Sequence, residues 1–246
     1  MNHYQFNVNG HHITAQFDED NIQNIFIPLL RKWTYMQKQK NQRIIILLAA
    51  PPGCGKTTLA LFLEHLSQQV EEVTPLQSIG MDGFHRYQDY LDCHYVHRDG
   101  KDILMKKVKG CPETFDVEKL IEKIIETKQQ DTYWPLYNRV LHNPEENQIF
   151  IQSPIVLIEG NYLLLKEKPW NEIHKLCDDS LFIEAHSLEL EKRLIERKMM
   201  GGIPYHQASR FYKESDAVNV DRVLNHSLKA HTHLITKNNI FQEVKK

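Results

Sequence analysis

Residues 44–58 read IIILLAAPPGCGKTT, an apolar run that passes straight into a glycine-containing turn and then into an amphipathic segment. The closing elements of the Walker A pattern G-x-x-x-x-G-K-[ST] are present as Gly55, Lys56 and Thr57, and Ala50 stands where the pattern opens on glycine. Gly53 and Gly55 let the backbone turn tightly, so that successive N–H groups converge on phosphate oxygens. Lys56 brings a cation to the β- and γ-phosphates, and the Thr57 hydroxyl can ligate Mg²⁺. Leu59, Phe62, Leu63, Leu66 and Val70 recur at helical spacing, so a helix begins near Lys56 and adds its positive N-terminal end. Strand, loop and helix agree on a site for a nucleoside triphosphate, with Pro52, Gly53, Cys54, Gly55, Lys56, Thr57 and Thr58 as the contacting set.

Around this loop the pattern predicts an α/β fold. Tyr4, Phe6 and Val8 alternate with polar residues, Asn9 and Gly10 follow, and Ile13, Ala15 and Phe17 alternate again, which predicts a β-hairpin with a type I′ turn. A helix follows through Ile22, Ile25, Phe26, Leu29, Leu30 and Trp33, with Pro28 either kinking it or marking its start. Further strands are predicted at 76–81, 155–158, 180–183 and 233–236, separated by helices. One of these helices is capped by Asp116 and carries Val117, Leu120, Ile121, Ile124 and Ile125. The expectation is a single domain over 1–246: a parallel five-stranded sheet with helices on both faces, preceded by an N-terminal hairpin and helix within 1–42. The polar stretch 83–110 shows weak periodicity and reads as an excursion over the substrate side. A net charge of −2 carries no electrostatic footprint for nucleic acid, and the longest apolar run is too short to span a bilayer. The start lacks a signal peptide and four cysteines make no disulfide framework, so a reduced, cytoplasmic protein is expected, with a homodimer left open.

In open parallel sheets ligands sit beyond the carboxyl ends of the strands. Two predicted strands end in a carboxylate, Asp82 in SIGMDGFH and Glu159 in IVLIEGNYLLL. Such an acid can take a proton from an attacking hydroxyl or hold Mg²⁺, or it can simply cap a turn, as Asp82 before Gly83 would.

APPGCGKTTL at 50–59, MDGFH at 81–85, KGCPETFD at 109–116, WPLYNR at 134–139 and VLIEGNYLL at 156–164 occur in that order, followed by RLIERKMMGG at 193–202 and SDAVNVDRV at 215–223. With these motifs the chain resembles the phosphoribulokinase/uridine kinase group of P-loop kinases, and within it pantothenate kinase-like proteins. The resemblance implies an ATP- and Mg²⁺-dependent kinase acting on a hydroxyl of a nucleoside, sugar or pantothenate-like metabolite. It gives Asp82 the part of catalytic base and Glu159 a place at the metal with Thr57. It puts Tyr137, Arg139 and His142 in the region that contacts the acceptor, and Asn219 in the last motif on the acceptor as well. His85, three residues past Asp82, can reach an acceptor hydroxyl, and Tyr137, Arg139, His142 and His85 can each equally be a surface or turn residue.

Residues 187–203 read as a lid helix. Arg193 and Arg197 share one helical face; Glu189 and Glu196 can offset Arg193, whereas Arg197 has no acid three or four residues away. The resemblance favours a lid whose arginines meet phosphates, with Gly201 and Gly202 as its hinge, over a solvated helix face. Cys93, His94, His97 and Cys111 lack zinc-ligand spacing. Cys54 lies beside phosphate-binding amides, a setting that can lower a thiol pKa and make the protein oxidant-sensitive, but it reads as a small loop filler rather than a nucleophile. A nucleotide-binding regulator or GTPase-type switch is the alternative class. Thr236, Lys237, Asn238 and Asn239 lack the aspartate of the guanine-binding [NT]-K-x-D pattern.

Overall fold

Ile44, Ile45 and Ile46 favour extended backbone, and strand Ile44–Ala49 is buried at all six positions. Burial on both faces is what a continuous apolar run asks for. The computed structural model describes residues 2–8, 11–98 and 100–244. They form two units, one from residues up to 79 together with those from 153 onward, the other from residues 80–152.

The strands in chain order are β1 (Asn2–Val8), β2 (His11–Phe17), β3 (Ile44–Ala49), β4 (Leu76–Gly80), β5 (Tyr95–Arg98), β6 (Lys101–Leu104), β7 (Thr132–Asn138), β8 (Asn143–Ile151), β9 (Ile155–Gly160), β10 (Asp179–Ala185), β11 (Thr232–Lys237) and β12 (Ile240–Glu243). The α-helices are α1 (Glu19–Asn21), α2 (Ile27–Lys40), α3 (Lys56–Ser67), α4 (Gln88–Leu91), α5 (Val117–Gln129), α6 (Ser187–Met200), α7 (Tyr205–Phe211) and α8 (Ala217–His226). The central sheet runs β12-β11-β10-β3-β9-β4. β3 pairs in parallel with β9 and β10, and β10 with β11, whereas β12 is antiparallel to β11. The expected five strands are therefore six. Asn238 and Asn239 both have positive φ, 51° and 63°, as the two central residues of a type I′ hairpin turn must. The segment weighed as a failed guanine motif is the turn that makes the sixth strand.

One face of the sheet packs Ile44, Ile46 and Leu48 against Leu59 and Leu63 of α3 and Leu190 and Leu194 of α6. The N-terminal hairpin forms as expected, β1 against β2, although its Asn9 and Gly10 turn lies outside the described residues. Phe17 stacks on Phe62 at 3.8 Å between ring centroids. Pro28 both starts a helix and follows a distortion: a π-turn at Ile22–Phe26 precedes α2, whose first turn holds Pro28. The wider turn absorbs the ring that would clash with the carbonyl four residues back. At β10 the buried Asp179 carboxylate accepts from the Trp33 indole at 2.6 Å and pairs with Lys32 at 2.7 Å, tying α2 to the sheet.

In the second unit Asp116 caps α5, accepting from Lys119 N at 3.3 Å. Val117, Leu120 and Ile124 are buried, but Ile125 is exposed, so the helix buries a narrower face than its sequence suggested. The 83–110 stretch carries α4 and a β5–β6 hairpin. Alternation in so short a hairpin is only two residues deep per face, too little to register as a period.

The edge strand β12 is clamped by a side chain. Asn21 Nδ2 donates to Phe241 O at 2.9 Å and Asn21 Oδ1 accepts from Phe241 N at 2.7 Å, which imitates a neighbouring strand. Asn21→Ala strips two buried backbone groups of partners and is expected to cost about 2 kcal/mol in urea unfolding. A loss under roughly 0.5 kcal/mol would show that these bonds hold nothing.

Candidate active site

The β3–β9 register places Leu48 opposite Glu159 and Ala49 opposite Gly160, so the acid is level with the end of β3, where the phosphate loop begins. Gly53 and Gly55 take positive φ, 80° and 88°. Gly55 is also the N-cap of α3, and having no side chain it makes no side-chain cap bond. The first amides of α3 point outward from a helix end that carries positive potential. Thr57 Oγ1 donates to Glu159 Oε1 at 2.7 Å, and Lys56 Nζ lies 3.9 Å from Glu159 Oε2. Pro52 sits in the turn and Thr58 is the third residue of α3.

α6 packs directly on this loop. A Cβ at Gly53 would come within 3.0 Å of Leu194 Cγ, and Arg193 Nη1 lies 3.4 Å from Gly53 O. Arg193 also pairs with Glu189 at 2.5 Å, as the spacing suggested, whereas Glu196 turns to Lys192 at 3.9 Å. The acid near Arg197 comes from far along the chain. Asp216 pairs with Lys198 at 3.3 Å and feels Arg197 as well; burial pushes its carboxyl up, and the two cations pull it back. Gly201 and Gly202 end the helix as expected, in a Schellman cap: Gly202 N, at φ 88°, donates to Met199 O at 2.9 Å and Ile203 N donates to Lys198 O at 3.1 Å. Asn219 on α8 is 5% exposed, and its Oδ1 has no hydrogen-bond partner among the described residues. Asn161 Oδ1, two residues past Glu159, is in the same condition. Cys54 fills the loop and does not have the lowered thiol pKa that its setting could give. It is buried, and burial raises it to about 12 against the opposing pull of Arg193 and Lys56.

The second unit gathers Asp82, His85, Tyr137 and Arg139. Asp82 lies in a short 3-10 turn, Met81–Phe84, just after β4. Gly83 there is needed for close approach, since a Cβ would meet Pro135 O at 2.2 Å, where β7 is irregular between Trp134 and Leu136. Trp134 Nε1 donates to Gly80 O at 2.8 Å and holds the same junction. Arg139 Nη2 is 3.6 Å from Asp82 Oδ2, with both side chains about half exposed. His85 Nδ1 donates to Asp82 O at 2.8 Å, and its ring lies 3.9 Å from Phe115 and 4.8 Å from Tyr137. A carbonyl only accepts, so Nδ1 carries the proton and Nε2 keeps a lone pair. Burial lowers the His85 pKa, outweighing Asp82. His142 is an exposed positive-φ residue between β7 and β8 that offers its carbonyl to Lys109 at 2.7 Å. Lys109 and Phe115 were not singled out in the sequence, although both stand in KGCPETFD.

Against known proteins, the pattern described as "Phosphoribulokinase / Uridine kinase family" matches residues 45–202, most of the chain, from the phosphate loop to the end of α6; Asp216 and Asn219 lie beyond it. The chain belongs to the phosphoribulokinase/uridine kinase family. It is 41% identical over 227 residues to "Uncharacterized protein YggC" of Escherichia coli (strain K12), covering 92% of each. It is 25% identical over 228 residues to a pantothenate kinase of Lactococcus lactis subsp. cremoris (strain MG1363), covering 83% of this chain and 71% of the relative. Among solved structures it is similar to a "putative fructose transport system kinase" from Silicibacter sp. TM1040, with a TM-score of 0.71 and 26% identity, over 83% of this chain and 98% of that one. The fold is that of P-loop kinases.

For a member of this family the loop residues fit a nucleotide and Mg²⁺ on the chain's own evidence. An uncapped helix start, a lysine and a hydroxyl already oriented by a carboxylate are what phosphates and a hard cation need. Among the described residues no group of three His, Cys, Asp or Glu could hold a metal ion. No helix of the described residues is long and apolar enough to cross a membrane. A cavity of about 590 Å³ lined by Phe182, Glu184, Leu224, Lys229 and His233, among others, shares no residue with the phosphate loop.

Two outcomes are expected. Alkylation of the native protein at pH 8 should modify exposed Cys93 and spare Cys54; rapid loss of the Cys54 thiol would contradict its burial. Because folding lowers the His85 pKa below its ordinary 6.5, the unfolded chain binds the proton first. Stability is therefore full above that value and falls as pH drops through it. Denaturation midpoints at pH 7 and pH 5 should differ less in His85→Gln than in the parent.

Proposed function

We propose that this chain is an ATP-dependent kinase that transfers the γ-phosphoryl group to a hydroxyl of a small metabolite. The observation that carries the reading is the Thr57–Glu159 bond of 2.7 Å beside Lys56 on a glycine loop, in a chain of this family. Lys56 and the loop amides of Gly53 and Gly55 hold the β- and γ-phosphates. Thr57 and Glu159 hold Mg²⁺, which when bound supplies charge neutralisation at the transferring group. Asp82 takes the proton of the attacking hydroxyl. His85 Nε2 accepts from a second hydroxyl of the acceptor, and Tyr137, Arg139 and Asn219 contact the rest of it; the buried Asn219 Oδ1 of α8 is left without a hydrogen-bond partner among the described residues. Arg193 and Arg197 stabilise charge on the transferring phosphoryl group from α6.

The alternative, a nucleotide-binding regulator or GTPase-type switch, draws less support. The residues nearest to a guanine-binding pattern, Lys237, Asn238 and Asn239, belong to the β11–β12 hairpin. ADP release across a panel of nucleosides, sugars and hydroxy acids separates the two classes. Asp82→Asn should cut turnover by roughly 10²–10⁴-fold with ADP affinity nearly unchanged. Glu159→Gln should raise the Mg²⁺ needed for half-maximal rate. Matching Mg²⁺ titrations for Glu159→Gln and the parent, or undiminished turnover in Asp82→Asn, would remove these assignments.

A further inference from the structure

Lys109 is a half-buried cation of the second unit with no carboxylate of its own among the described residues. Its Nζ donates to Gln88 Oε1 at 3.1 Å and to His142 O at 2.7 Å, and stands 5.2 Å from the centre of the Tyr137 ring. All three partners are neutral. Neighbouring cations are matched: Arg86 with Asp116 at 3.3 Å, Arg98 with Glu113 at 3.0 Å and Arg139 with Asp82 at 3.6 Å. Asp92, whose charge reaches Lys109, is itself taken by Lys106 at 2.8 Å. Burial pulls the Lys109 pKa down, the mark of an ammonium drawn from water without full compensation.

Its position is as informative as its charge. From Lys109 the Tyr137 ring leads to the His85 ring at 4.8 Å, and His85 bonds the backbone of Asp82 at 2.8 Å. An aromatic floor thus runs from the ammonium to the carboxylate assigned as base, with a lone pair of His85 between them. We propose that the acceptor lies along this floor with its reacting hydroxyl at Asp82 and an anionic group, carboxylate or phosphate, on Lys109. This rests on the kinase reading and deepens it. A neutral nucleoside or free sugar would leave the ammonium with neutral partners only, whereas an anion would bring it an opposite charge at close range in a half-buried setting.

The test occupies the phosphate loop first. With MgADP saturating, thermal unfolding is followed on addition of pantothenate, fructose 6-phosphate, uridine or fructose, and ADP release from ATP is measured with the same four. The two anionic probes separate a carboxylate from a phosphate. At least one of them should raise the unfolding temperature of the parent while uridine and fructose do not. Lys109→Met should weaken that probe roughly 10- to 100-fold with kcat little changed, and Lys109→Arg should recover most of the loss. Unchanged MgADP affinity together with unchanged far- and near-UV circular dichroism spectra shows that both variants are folded. Tightest binding by a neutral probe, protection by neither anion, or full anion affinity in Lys109→Met would each overturn the proposal. Turnover of a neutral probe alone would sink this inference and keep the kinase reading. Anion protection lost in Lys109→Met, without ADP release from any probe, would keep the anion site and strike the kinase reading.

Discussion

The hydrogen bond from Thr57 to Glu159 depends on a register between two strands more than a hundred residues apart. β3 and β9 run in parallel with Leu48 opposite Glu159, so the strand that launches the phosphate loop and the strand that carries the acid end at the same level. A one-residue slip would turn Glu159 into the opposite face and bring Ile158 or Gly160 to Thr57. Both strands are buried here, β3 throughout and β9 from Ile155 to Ile158, so close packing of side chains on both faces, rather than a polar–apolar alternation, holds this register. The core that stabilises the sheet is thereby the device that aims the hydroxyl.

The remaining geometry follows from close packing around small residues. Gly53 allows α6 to lie on the loop, with Leu194 against it and Arg193 over its carbonyl. Gly83 allows the Pro135 carbonyl of β7 to approach, which sets the short turn bearing Asp82 and brings Tyr137 and Arg139 beside it. At either position a methyl group would need backbone or core side chains to move, so interiors packed at crystal density make these sites rigid where precision matters. The Schellman cap at Gly202 has a different consequence. It satisfies the last carbonyls of α6 through backbone bonds, so the helix ends in an ordered turn before Pro204.

How much was legible depended on the range of each signal. The phosphate loop, α3 and the helix cap at Asp116 are local patterns and appear where the chain places them. The same holds for Asp82, His85, Tyr137 and Arg139, drawn to attention by motifs and found in one group. Other signals were local but read for the wrong purpose. Asn238 and Asn239 are turn residues at positive φ, and comparing them only with a guanine-binding pattern, which they do not match, left β12 unpredicted. For Cys54 the neighbouring phosphate-binding amides left a lowered thiol pKa open, and only the fold shows its sulfur enclosed against the backbone of Ile183. Arg197 was judged by acids within four residues, when Asp216 reaches it from another turn.

By itself the sequence determined the elements whose cause is a few adjacent residues: an apolar strand, glycines that permit positive φ, a lysine and hydroxyl at a helix start, and the periodicity of the helix behind them. Tertiary structure alone decided the strand order, the pairing of Glu159 with Thr57, the burial of Cys54, the approach of Pro135 to Gly83 and the neutral surroundings of Lys109. The physical reason is the range of the forces. Backbone dihedral preference and helix periodicity act within one or two turns of chain, whereas desolvation, ion pairing and steric exclusion depend on which distant segments are folded against a residue.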